Sequence, residues 1–203
     1  MIWLWIPKNA GSSISRALLG VHKERAVACH ISLDLIWRIN PACRDYEVVA
    51  FKRNPYSRIV SCWFSKIASP RAVDAPYFRK SKYAGLRHNM PFPEFAAWLN
   101  TPEGADGRAD QHWISQHLLL GRANRILPFE DLAGSAAELG VPPQRLPHRN
   151  DRALLAERSG LKHKTAVEWY DAAAYEQVTR RFAQDLAVLG YGFPGEAPTA
   201  QAG

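Results

Sequence analysis

Cysteine and methionine are scarce in this chain, which has three of the first and two of the second among 203 residues. Cys29, Cys43 and Cys62 form no CxxC pair and show no zinc-ligand spacing. The sequence therefore suggests neither a disulfide framework nor a structural metal site. Because unpaired thiols are typical of a reducing compartment, we expect a cytoplasmic protein.

Long hydrophobic runs are also missing. The run Met1–Pro7 is apolar, but a membrane-spanning helix needs about 20 such residues. The run has neither the charged start nor the cleavage site of a signal peptide. We expect no membrane span.

Acidic residues are too few to balance the basic ones, since 26 lysines and arginines face 19 aspartates and glutamates. The formal charge of +7 and the isoelectric point of about 9.5 predict a field that attracts anions. Nucleic acid, acidic glycans, a membrane surface and a polyphosphorylated nucleotide would all fit this charge.

A hydrophobic fraction of 47% is ordinary for a globular protein and is enough for one core at this length. We expect a single domain over residues 1–193. The stretch 194–203 is rich in Pro, Ala and Gly and is expected to be a disordered tail.

Apolar runs followed by helical patterns predict the fold class. Ile2–Ile6 and Val48–Phe51 are continuous apolar runs, typical of strands covered on both faces. Helical spacing follows each of them, in Ile14–Leu19 and in Ile59–Phe64. A further strand is predicted over Asn124–Phe129. Repeated strand-to-helix units indicate an α/β fold, a parallel sheet of about four or five strands flanked by helices.

Helical patterns occur in three other segments, and a further stretch has no such pattern. Helices are predicted over Leu33–Ile39, over Asp131–Leu139 and, as one long helix, over Tyr170–Leu189. The stretch Ser69–Arg87 is polar, basic and interrupted by prolines, so it is predicted to be a mobile excursion outside the core.

The first strand is followed by the elements of an anion site. Lys8 comes directly after the strand, and Gly11, Ser12 and Ser13 open the helix. This order combines a positive charge, backbone N–H donors and the positive end of a helix dipole. The spacing is not that of the nucleotide-hydrolysing motif G-x-x-x-x-G-K-[ST].

The second strand ends in a basic turn as well, Lys52–Pro55, and Ser61 lies about two helical turns beyond it. In parallel sheets ligands bind at the carboxyl ends of strands. Two anion sites at that edge suit a nucleotide that carries phosphates at both ends.

Both segments resemble motifs of one enzyme family. Residues 6–13 (IPKNAGSS) resemble the PKTAGTS-like loop, and residues 51–61 (FKRNPYSRIVS) the VRNPYDRLVS-like motif, of carbohydrate sulfotransferases related to heparan sulfate 2-O-sulfotransferase. Residues 110–116 (DQHWISQ) are similar to the family's DxHWxPQ stretch, and residues 129–132 (FEDL) to its strand-ending motif. The chain departs from the family at Asn9 and Ser12, where threonine is usual, at Ser57, where an acidic residue is usual, and at Ser115, where proline is common.

The resemblance implies a P-loop-like fold and a metal-free sulfotransferase. Its donor would be PAPS (3′-phosphoadenosine-5′-phosphosulfate), its product 3′,5′-ADP, and its acceptor a hydroxyl group, most often of a carbohydrate. On this basis the 5′-phosphosulfate would be bound by Lys8, Gly11, Ser12 and Ser13. The 3′-phosphate would be bound by Arg53 and Ser61.

The resemblance also implies a general base. Residues 29–32 (CHIS) are similar to the family's GHVS-like stretch, so His30 is the expected base, with Lys8 stabilising the leaving phosphate. His112 is the rival base, and His112, Trp113 and Gln116 are candidates for the cleft or the acceptor site. The basic residues of 147–164 fall where the family has a lid over the nucleotide.

Two other functions also fit parts of the sequence. A nucleotide-dependent kinase would use the same kind of phosphate loop, and Asp131 could then hold Mg²⁺, although the lysine of the hydrolysing motif is missing. A basic nucleic-acid-binding module would explain the charge and the seven tryptophans. Trp3, Trp5, Trp63 and Trp98 fall within apolar patterns, however, and the positive charge is concentrated at turns, so we expect no nucleic-acid partner.

Overall fold

The structure is a computed structural model that describes residues 1–21, 33–107, 110–146 and 165–194. Its strands are β1 (Ile2–Leu4), β2 (Val48–Lys52) and β3 (Arg125–Pro128). Its helices are α1 (Gly11–Val21), α2 (Leu33–Ile39), α3 (Pro55–Lys66), α4 (Phe92–Trp98), α5 (Gln116–Leu120), α6 (Leu132–Ala137), α7 (Ala172–Arg181) and α8 (Ala183–Leu189). None of these described helices is long and apolar enough to cross a lipid bilayer.

The chain divides into two compact units, which we describe separately. The first comprises Met1–Arg53 and Gln116–Arg149, and the second comprises Asn54–Ser115 and Asn150–Gly203. The expectation of one domain over 1–193 stays a prediction, and residues 195–203 of the expected tail lie outside the described part.

The first unit contains a parallel sheet with the strand order β1-β2-β3. Trp3 is in register with Val49, and Ala50 with Ile126. The α/β class is therefore confirmed. The described residues form three strands, fewer than the four or five expected.

The central position of β2 explains its composition. Its first four residues, Val48 to Phe51, are at most 1% exposed, as expected for a strand with covered edges and faces. Trp3 packs edge-on against Phe51 with ring centroids 5.1 Å apart. Ile14 and Leu18 of α1 join the same core, which fixes this helix against the sheet.

The second unit is helical, and its core is rich in aromatic residues. Helix α3 begins where the sequence Asn-Pro predicts a break, because Asn54 caps it by accepting the Tyr56 N–H at 3.0 Å and Pro55 takes the first helical position. The Trp63 ring lies in the core and donates its indole N–H to the Met90 carbonyl at 2.7 Å.

Two predictions for the second unit need correction. The long helix expected over Tyr170–Leu189 is two helices, because the backbone leaves the helical region at Phe182 (φ −115°, ψ 24°). The excursion Ser69–Arg87 forms short 3₁₀ turns and contributes Tyr83 and Leu86 to the core.

Candidate functional site

The turn that follows β1 is strained at its lysine. Asn9 donates its N–H to the Ile6 carbonyl at 3.2 Å, so Pro7 and Lys8 are the central residues of a turn. Lys8 has φ +71°, the value that a type II turn requires at its third position and that glycine normally supplies. A non-glycine residue in this region costs about 1–3 kcal/mol, and such strain is concentrated at functional sites.

The turn leads directly into the amino end of α1. Ala10 also has a positive φ, +58°, and its carbonyl accepts the N–H groups of Ser13 at 2.9 Å and Ile14 at 3.0 Å. The N–H groups of Gly11 and Ser12 lie in the first helical turn, where a helix offers them no acceptor. They and the helix dipole favour an anion here. Ser13 is 7% exposed, and the side chain of Ser12 lies outside the described part.

Arg53, the residue after β2, is held by the neighbouring turns. Its guanidinium lies over the Phe129 ring, 4.1 Å from the centroid, and its Nη1 donates to the Lys8 carbonyl at 2.7 Å. Only 6% of the residue is exposed. The two basic turns are therefore in direct contact at the carboxyl edge of the sheet.

Phe129 was missed as a site residue. Phe129 directly follows β3, as Arg53 directly follows β2. The common edge of a parallel sheet was the signal that could have found it.

A buried amide also joins the two turns. Gln116, the first residue of α5, accepts hydrogen bonds at Oε1 from Asn9 Nδ2 at 2.7 Å and from the Arg53 N–H at 3.0 Å. Its Nε2 donates to the Arg53 carbonyl at 2.7 Å. Gln116 has no exposed surface, so in this structure it is not available to an acceptor. Its candidacy for the acceptor site stays a prediction without geometric support.

Ser61 belongs to the second unit and lies on α3, where it is 7% exposed. One turn earlier, Arg58 is fully buried and donates from Nη2 to the His112 carbonyl at 3.3 Å. Burial lowers the pKa of Arg58, and the nearby Asp185 opposes that effect. Arg58 is therefore an interior residue of the second unit.

His112 and Asp110 form a partly buried pair in the second unit. The ring donates from Nδ1 to the Asp110 carboxylate, which also accepts the His112 backbone N–H at 3.0 Å. Burial raises the pKa of Asp110, but the hydrogen bonds from His112 outweigh it and the pKa lies below its ordinary value. A carboxylate in this position fixes the orientation of an imidazole.

Trp113, the residue next to this pair, is fully buried. Its ring packs edge-on against Tyr83 and Trp98, with centroids 5.6 and 5.7 Å away. As a core residue it is not available to an acceptor, so His112 is the member of the predicted acceptor group with exposed surface.

Comparison with known families identifies the chain. A family model described as the sulfotransferase family matches residues 1–192. The chain belongs to the sulfotransferase family. The relation to heparan sulfate 2-O-sulfotransferase lies within this family. Searches of curated proteins and of solved structures gave no significant match.

The departure of this sulfotransferase from the family at Ser115 has a structural explanation. Ser115 donates its N–H and its hydroxyl to the Asp106 carboxylate at 2.7 and 2.6 Å. Proline could make neither bond. Arg181 donates to the same carboxylate from Nη2 at 2.6 Å, which completes a polar cluster in the second unit.

Two parts of the predicted sulfotransferase site lie outside the described residues. They are the candidate base His30, with its CHIS stretch, and the lid segment 147–164. In the ranges that are described, no three His, Cys, Asp or Glu side chains come together in a group that could hold a metal ion.

Proposed function

We propose that this sulfotransferase moves a sulfuryl group from PAPS to a hydroxyl group of a carbohydrate or glycoconjugate acceptor. The observation that carries the proposal is the contact between the two basic turns, in which Arg53 Nη1 donates to the Lys8 carbonyl at 2.7 Å. Neighbouring anion sites suit a donor that has phosphates at both ends of a nucleoside.

In the proposed donor complex the 5′-phosphosulfate lies on the start of α1. The amides of Gly11 and Ser12 supply hydrogen-bond donors there. The family resemblance assigns the side chains of Ser12 and Ser13 to the same group. The charge of Lys8 lies on the same turn. Following the family resemblance, Arg53 and Ser61 bind the 3′-phosphate.

The proposed reaction is an in-line displacement at sulfur. The acceptor oxygen forms a bond to sulfur while the bond between sulfur and the 5′-phosphate oxygen breaks. His30 takes the proton of the acceptor hydroxyl, and 3′,5′-ADP leaves with the electron pair of the broken bond. Lys8 stabilises the negative charge that grows on the leaving phosphate, so positioning and electrostatics supply most of the rate.

The structure weakens the support for a kinase. Asp131, which could have held Mg²⁺, is the N-cap of α6, where its carboxylate accepts the Gly134 N–H at 3.0 Å. A nucleic-acid-binding role has less support as well, because four tryptophans that could stack on bases are at least 92% buried: Trp3, Trp63, Trp98 and Trp113. The lack of a CxxC pair or zinc-ligand spacing among the three cysteines still favours a cytoplasmic location.

Nucleotide selectivity tests the proposal. Calorimetry should give tighter binding of PAPS and 3′,5′-ADP than of 5′-AMP or ATP, because the second turn reads the 3′-phosphate. Arg53→Ala should weaken 3′,5′-ADP binding by about 1.5–3 kcal/mol, the value of a charge-assisted hydrogen bond. Equal affinity of the wild type for 3′,5′-ADP and 5′-AMP would contradict the proposal.

A matched control separates local contact from net charge. Arg122→Ala removes the same charge from the first unit at an exposed position, where Arg122 is paired with Asp34. This variant should keep the wild-type affinity for 3′,5′-ADP. A screen of PAPS with hydroxyl-bearing carbohydrates, with 3′,5′-ADP as the measured product, then identifies the acceptor.

A further inference from the structure

Gln116 occupies an unusual place for a side chain, inside the junction of the two basic turns. It is 107 residues from Asn9 and 63 from Arg53 in the sequence. Gln116 is 0% exposed and Asn9 is 1% exposed. Burial of two amides is unfavourable unless their polar groups are bonded, and both side chains make hydrogen bonds within the first unit.

Gln116 makes the hydrogen bonds to the Arg53 backbone that a neighbouring strand would otherwise supply. The pairing of β2 with β3 ends at Lys52 and Pro128, so Arg53 is the first residue beyond the ladder. Its N–H and carbonyl still need partners, because an unpaired backbone group in the interior is costly. One side chain supplies both, since Gln116 Oε1 accepts the N–H at 3.0 Å and Nε2 donates to the carbonyl at 2.7 Å.

The same amide reaches the first turn through Asn9. Asn9 Nδ2 donates both to Gln116 Oε1 at 2.7 Å and to the Phe51 carbonyl at 2.6 Å. The Asn9 side chain thereby ties its own turn to the end of β2. The threonine that is usual in the family has no amide group to make these two donations.

The contacts close a ring. From Arg53 the path runs through Gln116 to Asn9, along the chain to Lys8, and back through the bond from Arg53 Nη1 to the Lys8 carbonyl. A ring of hydrogen bonds that includes both backbones holds the two turns at one separation. Neither amide needs to touch a nucleotide to have this effect.

We propose that Gln116 is a positioning residue that sets the spacing between the two basic turns to that of a nucleotide with a phosphate at each end. The inference rests on the proposed function. It assigns to Gln116 a role in donor selectivity instead of acceptor contact. A ligand that uses only one turn does not depend on the spacing, whereas a ligand that bridges both turns does.

Calorimetry with 3′,5′-ADP, 5′-AMP and 3′-AMP tests this role in the variant Gln116→Met, which keeps the length of the side chain and loses the hydrogen bonds to Asn9 and Arg53. We expect the Kd for 3′,5′-ADP to rise about tenfold or more, the loss that one or two buried hydrogen bonds produce. The Kd values for the two monophosphates should change by less than about threefold. The preference for the bisphosphate is the diagnostic quantity.

Asn124→Ala is the matched control. The Asn124 side chain also bonds to the backbone of β2, since its Oδ1 accepts the Val48 N–H at 2.8 Å, but it does so at the opposite end of the strand. This variant should keep the preference for 3′,5′-ADP even if its melting temperature falls. A merely structural role of Gln116 would make the two variants alike.

The outcomes separate the two proposals. If the wild type shows no preference for 3′,5′-ADP, the proposed function and this inference both fall. If the wild type shows the preference and Gln116→Met keeps it, or loses affinity for all three ligands equally, only the inference is overturned. If Gln116→Met does not fold, Asn9→Ala serves in the same measurement, and retention of the preference there overturns the inference.

A double-mutant cycle gives a second test where both variants fold. If Gln116 and Asn9 act through one ring, the loss of 3′,5′-ADP affinity in the combined variant should be well below the product of the two single losses. Independent, multiplicative losses would contradict a shared positioning role.

Discussion

The indole ring of Trp5 lies against Gly11, in the space where the Cβ atom of any other residue would have to be. A Cβ built on Gly11 would overlap the ring atoms Nε1, Cδ1 and Cε2 of Trp5. Gly11 is also the first residue of α1, so the contact fixes how closely the helix start approaches the end of the first strand segment. This overlap is a steric explanation for glycine at this position of the motif.

Gly11→Ala should therefore destabilise the protein and weaken nucleotide binding. Overpacking of this kind typically costs about 1–3 kcal/mol, because either the ring or the helix start has to move. Urea denaturation and calorimetry with 3′,5′-ADP measure the two effects. In a Trp5→Ala background the same substitution should cost much less, and an undiminished cost there would show that Trp5 is not the cause.

Lys8 should show opposite effects on stability and on catalysis. Lys8→Gly removes the charge and also relieves the positive φ of +71°, which glycine adopts without steric cost. We expect the melting temperature to be unchanged or higher, while turnover with PAPS falls by about 10²-fold or more, as it does when one charge-stabilising donor is lost.

The comparison with Lys8→Ala isolates the charge, because alanine keeps the strained backbone. Both variants should lose more turnover than 3′,5′-ADP affinity, since the lysine acts on charge that grows in the transition state. Wild-type turnover together with weaker nucleotide binding would make Lys8 a simple anchor.

His30 is the predicted base, and His112 is its rival. His30→Ala should lower turnover by about 10²–10⁴-fold, the usual contribution of a general base, while the affinity for 3′,5′-ADP stays nearly constant. An imidazole suits this role because its ordinary pKa of about 6.5 leaves it ready to accept a proton near neutral pH.

The paired variants His112→Ala and Asp110→Asn complete that comparison. If His112 only supports the acceptor side, both should affect the KM for the acceptor more than turnover. A severe loss of turnover in both, with near-normal turnover in His30→Ala, would transfer the role of base to His112.

Asp106 should make the free energy of unfolding depend on pH in the acid range. Burial raises the pKa of Asp106, but the hydrogen bonds from Arg181 and Ser115 outweigh it, and the pKa lies below its ordinary value. A lowered pKa in the folded state contributes stability that is fully present above the ordinary value of about 3.9. That contribution is lost as the pH falls from there through the lowered pKa.

Asp106→Asn should thus lower the free energy of unfolding at pH 7 by about 1.5–3 kcal/mol, the value of hydrogen bonds to a charged group. It should also flatten the fall in stability below about pH 4. Urea denaturation at several pH values measures both. Asp74→Asn is the control, because its pair with Arg79 is exposed (side chains 85% and 76% exposed) and should contribute less than about 1 kcal/mol. An equal effect of the two substitutions would contradict the buried-cluster explanation.

Local sequence was sufficient for the elements that depend on neighbouring residues. The apolar run at Val48–Phe51 predicted a buried strand, and Asn54-Pro55 marked the start of α3. Hydrophobic periodicity and helix caps each depend on residues that are close in the sequence, so they can be predicted without knowledge of tertiary contacts. The break at Phe182 was not readable, because the apolar spacing continues across it.

The sequence by itself determined that two basic turns follow two buried strands, which is a property of residue order. Only the tertiary structure decided how those turns are held: Phe129 under the Arg53 guanidinium, and Gln116 bonded to both turns. The hydrogen bonds of Gln116 join it to residues that are 63 and 107 positions away in the sequence. Contacts at such separations leave no periodic pattern in the sequence, because they depend on which strand ends the fold brings to the same edge of the sheet.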